Sequence, residues 1–236
     1  MQSSAQCRTC RLAPPPFVRA VCFGVYDDRL KAAIHALKFD RMTPAAKPLG
    51  RLLAGAIAEF AEEVPAGLLV VPIPLHRSKK RQRGFNQARA LAYFSLQWLA
   101  KTHPDWPLTL AARTLIRHRR TEAQAGLSPR GRRINVRGAF VISDRATVAG
   151  KDVLLVDDIF TTGATVRAAA QALNEAGAAS VRVATLSRAL LRTAIRSNRS
   201  LPVVANDDQP NQRTAELADS APTELASVHS QHQLTQ

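Results

Sequence analysis

The chain has 236 residues with 33 Lys+Arg against 18 Asp+Glu, a formal charge of +15, and 46% of its residues are apolar. This is the balance of a folded, soluble protein with a sizeable core, and the excess of positive charge points to phosphate-bearing partners. Three cysteines are too few for a disulfide scaffold, so a reducing cytoplasm is the expected location. The longest apolar run, Ala66 to Leu75, is interrupted by Pro72 and Pro74 and does not reach the roughly 20 residues that span a bilayer.

In chain order, the start is polar and leads into no hydrophobic signal segment. Residues 1–20 form an N-terminal segment in which Cys7 and Cys10 have the spacing of half a zinc knuckle. Structural zinc takes four protein ligands, so one such pair is incomplete, and two reduced thiols are the simpler reading. Val21–Tyr26 is expected as a strand near a sheet edge, and Arg29–Lys38 as a helix with Leu30, Ile34 and Leu37 on one face. A second helix is expected over Leu49–Glu62. Leu68–Val71 is short, apolar and β-branched, the pattern of a buried strand. After it, His76–Arg89 holds six Lys/Arg and no acid, and is read as a basic loop. A helix follows over Ala88–Lys101. Arg113–Arg137 carries eight Arg and one acid around a polar, Gly-containing centre, so a mobile loop is expected there.

Ala139–Ile142 is expected as another peripheral strand and Val153–Val156 as a second buried one. Thr165–Ala176 has the Ala-rich pattern of a helix stopped by Gly177, and Val181–Leu186 reads as the strand after it. Strand, helix, strand at this spacing is a right-handed βαβ unit, so the fold class is α/β with a central, mostly parallel sheet flanked by helices. From Arg192 onward there is no aromatic residue and no Gly, and the net charge is −1. Residues 192–236 are therefore expected as a polar tail, disordered from near Ser197, which leaves 21–191 as one domain carrying nearly all of the positive charge.

The chemistry concentrates where Val153–Val156 ends in Asp157 and Asp158, followed by Thr161, Thr162, Gly163, Ala164 and Thr165. Ligands of parallel α/β sheets bind outside the carboxyl ends of strands. A hydroxyl-rich loop opening a helix offers backbone N–H groups and a partial positive charge to a phosphate. Carboxylates beside a phosphate make sense where they grip sugar hydroxyls or Mg²⁺. A simple turn cap would not account for two acids and three threonines together.

This stretch resembles the PRPP-binding signature of type I phosphoribosyltransferases. The resemblance implies that Asp157 and Asp158 face the ribose hydroxyls, directly or through Mg²⁺, and that Thr161 to Thr165 hold the 5-phosphate. It also implies a pyrophosphate site at the end of the other buried strand, where His76, Arg77, Lys79, Arg81 and Arg83 stand. The composition of Arg113–Arg137 suits a closing lid over a charged intermediate, or a nucleic-acid-attracting surface with no role in chemistry. Arg83-Gly84-Phe85-Asn86-Gln87-Ala88, Gln124-Ala125-Gly126-Leu127-Ser128 and Asn135-Val136-Arg137-Gly138-Ala139-Phe140 are similar to one subgroup, the ComF family. Pro14-Pro15-Pro16-Phe17 and Leu37-Lys38-Phe39 fit it too. Membership implies a phosphoribosyltransferase-like protein that binds PRPP and Mg²⁺ and handles single-stranded DNA in competence, with a competence- or helicase-type protein partner. It also implies a four-Cys zinc site, of which Cys7 and Cys10 are the only pair present. Two functions stay open: glycosyl transfer from PRPP to an unidentified acceptor, or a non-catalytic nucleic-acid-binding accessory built on the same fold.

Overall fold

In the computed structural model, residues 8–39, 43–119 and 128–189 are described. Cys7, the centre of the expected lid and the C-terminal tail lie outside them. By its contacts the chain divides into Met1–Arg196 and Ser197–Gln236, and the second unit is wholly outside the described residues. No described helix is long and apolar enough to cross a membrane.

Five strands form a parallel sheet in the order β1-β7-β6-β2-β3. They are β1 (Arg19–Val25), β2 (Leu68–Pro72), β3 (Leu108–Leu110), β6 (Asp152–Phe160) and β7 (Ser180–Arg188). A separate antiparallel ribbon pairs β4 (Leu115–Arg117) with β5 (Phe140–Ile142). The helices are α1 (Arg8–Leu12), α2 (Asp28–Phe39), α3 (Ala46–Ala58), α4 (Arg77–Arg83), α5 (Gln87–Thr102), α6 (Pro129–Val136) and α7 (Ala164–Glu175). This is the type I phosphoribosyltransferase-like α/β fold expected from the sequence.

Strand side chains alternate between faces, and the central strands use both. Leu154 and Val156 of β6 join Leu68 and Val70 against α2, α3 and α5. Val153 and Leu155 join Val71, Val181 and Val183 against α7 and the β4–β5 ribbon. Helix α3 approaches α5 closely at Gly50, where an added Cβ would stand 2.6 Å from the Phe94 Cβ. Ser95 reinforces this contact by donating its hydroxyl to the Gly50 carbonyl at 2.8 Å. On the other face, Arg167 of α7 donates to the carbonyls of Ala13 and Pro14, and Asn174 donates to that of Pro16. The proline segment is thereby strapped to α7 through the carbonyls that proline retains.

The connectivity places the site. From β2 the chain moves outward through α5 to β3, whereas from β6 it moves the opposite way through α7 to β7. Right-handed crossovers running in opposite directions put their helices on opposite faces. The crevice between the carboxyl ends of the adjacent strands β2 and β6 is therefore a topological switch point, the place where open α/β sheets bind ligands.

Three local expectations change. Arg77–Arg83, read as loop, is the helix α4. It is capped by His76, whose side chain accepts from the Ser78 N–H, and closed by Gly84 at φ +81°. Strand β6 does not stop at Val156 but continues through both aspartates to Phe160, held by pairing with β7 up to Phe160–Arg188. The segment expected to be a mobile loop contains ordered pieces, β4 and α6. Ser128 caps α6 by accepting from the Gly131 N–H, with Pro129 at its first position.

Candidate functional site

Beyond Val156, the last β6 residue opposite β2, the chain pairs only with β7, so Asp157 and Asp158 stand at the open edge of the crevice. Being successive strand residues, they turn to opposite faces. Asp158 turns toward α2 and α5 and is only 5% exposed. Its Oδ2 lies 2.7 Å from Lys38 Nζ and accepts from Gln87 Nε2 at 3.3 Å. Gln87 is placed by the start of α5, where the Asn86 side chain accepts from the Ala88 and Arg89 N–H groups. That same side chain donates to the Ile73 carbonyl at 3.0 Å, tying α5 to the end of β2.

Asp157 turns the other way. Its Oδ1 accepts from the Asp158 N–H at 2.9 Å. Burial is the main cause pushing its carboxyl up to about 8, and the neighbouring Asp158 charge adds to it. Solvent reaches part of the residue, yet the carboxyl lies at the crevice floor, and desolvation there outweighs the help of Lys38. The pair thus divides its roles: Asp158 is tied to Lys38 and Gln87, whereas burial holds the Asp157 carboxyl well above the ordinary carboxylate range.

The Thr161–Thr165 turn follows. Gly163 adopts φ +72°, and an added Cβ would come within 2.6 Å of the Phe160 ring, so the turn requires glycine. Gly163 is the N-cap of α7 and no side chain caps the helix, which leaves its first-turn N–H groups directed outward. The Thr162 hydroxyl is buried with no hydrogen-bond partner among the described residues. A buried hydroxyl without a partner is costly to keep, and an anion seated on the turn would accept from it. The residues fit a phosphate.

Facing this turn is the end of β2. Lys79, half-buried on α4, has its pKa lowered, first by burial and then by Arg117, Arg83 and Lys38. None of the groups acting on it is an acid. Arg117 of β4 is buried, its cation lying 5.5 Å above the Phe140 ring, and burial lowers its pKa while Asp157 opposes the fall. Lys79, Arg83 and Arg117 thus gather beside Lys38, which Asp158 already engages, and a polyanion would offset the repulsion felt at Lys79. Of the expected basic residues, Lys79 and Arg83 join this cluster. Arg77 is exposed at the groove beside it, Arg81 is exposed, and His76 serves as the α4 cap.

Lys38, Gln87 and Arg117 are site residues that sequence reasoning did not single out. Lys38 and Gln87 stood inside quoted motifs, and Arg117 inside the basic segment. For Mg²⁺ the donor set is two carboxylates, one already paired, and no cluster of three His, Cys, Asp or Glu exists among the described residues. Such a set suits Mg²⁺ only when ligand phosphate oxygens and water complete the shell. Cys7 lies outside the described residues, so the Cys7–Cys10 pair cannot be drawn as a zinc site.

Residues 87–199 match the phosphoribosyl transferase domain family. Over 190 residues the chain is 36% identical to the DNA utilization protein YhgH of Escherichia coli K12, covering 80% of each chain. It is 30% identical over 186 residues to Competence protein F of Haemophilus influenzae, covering 78% of each. The chain belongs to the ComF family of phosphoribosyltransferase-like proteins. Competence protein ComFC of Streptococcus pneumoniae is a more distant relative, 28% identical over 189 residues, 78% of this chain and 76% of that one. In this ComF-family chain the domain match begins at Gln87, so the basic helix α4 and Lys38 precede it. The relatives' similarity extends over a longer stretch than the domain match alone.

Proposed function

We propose that this protein binds PRPP with Mg²⁺ in the β2–β6 crevice and serves in the handling of single-stranded DNA. Two observations carry the first part: the action of Arg117, Arg83 and Lys38 on Lys79 at the end of β2, and the buried Thr162 hydroxyl without a partner among the described residues on the turn after β6. Two anion-attracting sites flanking two carboxylates match a ligand with a phosphate at one end, a pyrophosphate at the other and a diol between. The 5-phosphate would rest on Thr161–Thr165 and the α7 N-terminus. The pyrophosphate would lie against Lys79, Arg83 and Arg117, with Arg77 and Arg81 at its outer side. Asp157 and Asp158 would face the ribose hydroxyls. Mg²⁺, held by a carboxylate and phosphate oxygens, would offset charge on the leaving group.

In transfer from PRPP, the bond from C1 to the pyrophosphate oxygen breaks and the oxygen keeps the electron pair, leaving positive charge on the ribose. The cations stabilise the departing pyrophosphate, and Asp157 favours the ribosyl cation once its raised carboxyl has given up its proton to solvent. One observation favours the non-catalytic alternative: Asp158 is already engaged by Lys38 and Gln87, so it must exchange partners before it reaches a ligand. Pyrophosphate release from PRPP, with and without single-stranded DNA, separates the two. Release that disappears in Lys79→Met supports transfer, whereas PRPP binding without release supports an accessory role. The DNA part of the reading is supported by the relatives named for DNA utilization and competence, together with the net charge of +15.

A further inference from the structure

A cavity of about 680 Å³ opens between α4, the first half of α5 and the β3–β4 segment, and no residue of the Thr161–Thr165 turn lines it. Its walls carry Arg77, Lys80, Arg89, Arg113 and Arg117, and no acid is among the described residues that line it. All of these except Arg117 are exposed. The same lining carries apolar groups, among them Phe85, Phe94 and Ile116. Tyr93, 48% exposed, also lines it and stands edge-on to Phe94 with ring centroids 5.3 Å apart. Gln97 donates to the Tyr93 hydroxyl at 2.9 Å and so helps to hold the ring.

Five cations and a set of aromatic and aliphatic side chains in one lining define the occupant. An inorganic polyphosphate would gain nothing from the apolar groups, and an apolar ligand nothing from the cations. A duplex keeps its base faces stacked inside and presents only phosphates. A single strand presents both phosphates and open base faces, which stack on aromatic side chains while cations follow the backbone. We propose that this groove is the binding track for single-stranded DNA, with Tyr93 as a stacking platform and Lys80, Arg89 and Arg113 as phosphate contacts. The choice of DNA rests on the function proposed above; the groove itself rests on its lining.

Arg117 lines the groove and also acts on Lys79 and responds to Asp157 in the crevice. The groove thus shares Arg77 and Arg117 with the proposed pyrophosphate contacts, and a strand in it would lie against the PRPP site. The two sites can be separated by mutation, because Lys80, Arg89, Arg113 and Tyr93 belong to none of the proposed PRPP contacts.

The test is fluorescence anisotropy of a labelled 20-nucleotide oligothymidylate over a series of salt concentrations, with the full chain. Wild type should bind, with affinity falling steeply as salt rises. Lys80→Ala/Arg89→Ala/Arg113→Ala should weaken binding at least tenfold and flatten the logarithmic salt slope by about 2, from roughly 0.7 per lost contact. Tyr93→Ala should weaken binding roughly tenfold and leave the slope unchanged. In both variants the PRPP-induced rise in melting temperature should persist, which also shows that they fold. Unchanged DNA affinity in the triple variant would overturn the groove assignment while leaving the DNA reading intact. Absence of wild-type binding at low salt would remove that reading itself. Tighter binding of an RNA oligomer of equal length, or of duplex DNA, would overturn the choice of ligand.

Discussion

Replacing the neighbouring acids one at a time should change stability in opposite directions. Asp157 has its carboxyl pushed up to about 8 from an ordinary 3.8. Below about pH 4 both folded and unfolded chains hold this proton. Between about pH 4 and 8 only the folded chain does, so stability falls as pH rises, by at most about 1.4 kcal/mol per unit. At pH 7 that sets a ceiling near 4 kcal/mol. Water reaches part of the residue and Asp158 shares the effect, so about 2 kcal/mol is the expected cost. Asp157→Asn retains the shape and an oxygen to accept from the Asp158 N–H. It should raise the melting temperature by roughly 4–8 °C at pH 7, at 2–4 °C per kcal/mol for a domain of this size. Asp158→Asn strands the Lys38 ammonium, only 17% exposed, and should lower it by roughly 6–12 °C, from a cost of about 3 kcal/mol. The assay is calorimetric melting of wild type and both variants from pH 4.5 to 8. The Asp157→Asn advantage should shrink toward low pH. Destabilisation by Asp157→Asn, or a gain independent of pH, would refute the assignment of the proton to Asp157.

Other expectations follow from the same geometry. Lys79→Met should leave the ligand-free melting temperature unchanged or slightly raised, since it removes a cation disfavoured by burial and by its neighbours. It should weaken pyrophosphate binding at least tenfold by titration calorimetry, from the loss of about 1.5–3 kcal/mol in a charged hydrogen bond. In wild type the same affinity should fall with rising pH below the range where an ordinary lysine titrates, because the Lys79 pKa is lowered. Gly163→Ala forces a side chain onto the Phe160 ring at φ +72°. It should cost roughly 1–3 kcal/mol and abolish PRPP-induced stabilisation in a thermal-shift series. Gly50→Ala, distant from the site, should lower stability by roughly 1–3 kcal/mol through overpacking of α3 against α5, with PRPP affinity unchanged.

The long elements were legible because burial imposes pattern. Val153–Val156 and Leu68–Val71 are buried on both faces and read as unbroken apolar runs, and α7 ends at a glycine. The extension of β6 through Asp157 to Phe160 was not legible, since it depends on pairing with Ser187 and Arg188 rather than on local sequence. Helix α4 has no apolar periodicity to reveal it, and only His76 and Gly84 mark its ends. Strands β3 and β4, at three residues each, are too short to show a period. At the site, the Asp-Asp-Thr-Thr-Gly run was visible in one stretch, whereas Lys38 lies 120 positions from the carboxylate it contacts. That separation also hid the inequality of the two acids, which read as equivalent until the strand turned them to opposite faces.

Every role assigned to the crevice residues turns on PRPP binding there. Melting of the full chain with millimolar PRPP and Mg²⁺ tests this directly. A ligand at about 100 times its Kd adds about 2.7 kcal/mol, so a rise of roughly 5–10 °C is expected. The rise should fall by about half or more in Lys79→Met and vanish in Asp157→Asn/Asp158→Asn. No shift in wild type, or an equal shift in wild type and both variants, would contradict the assignment of the crevice.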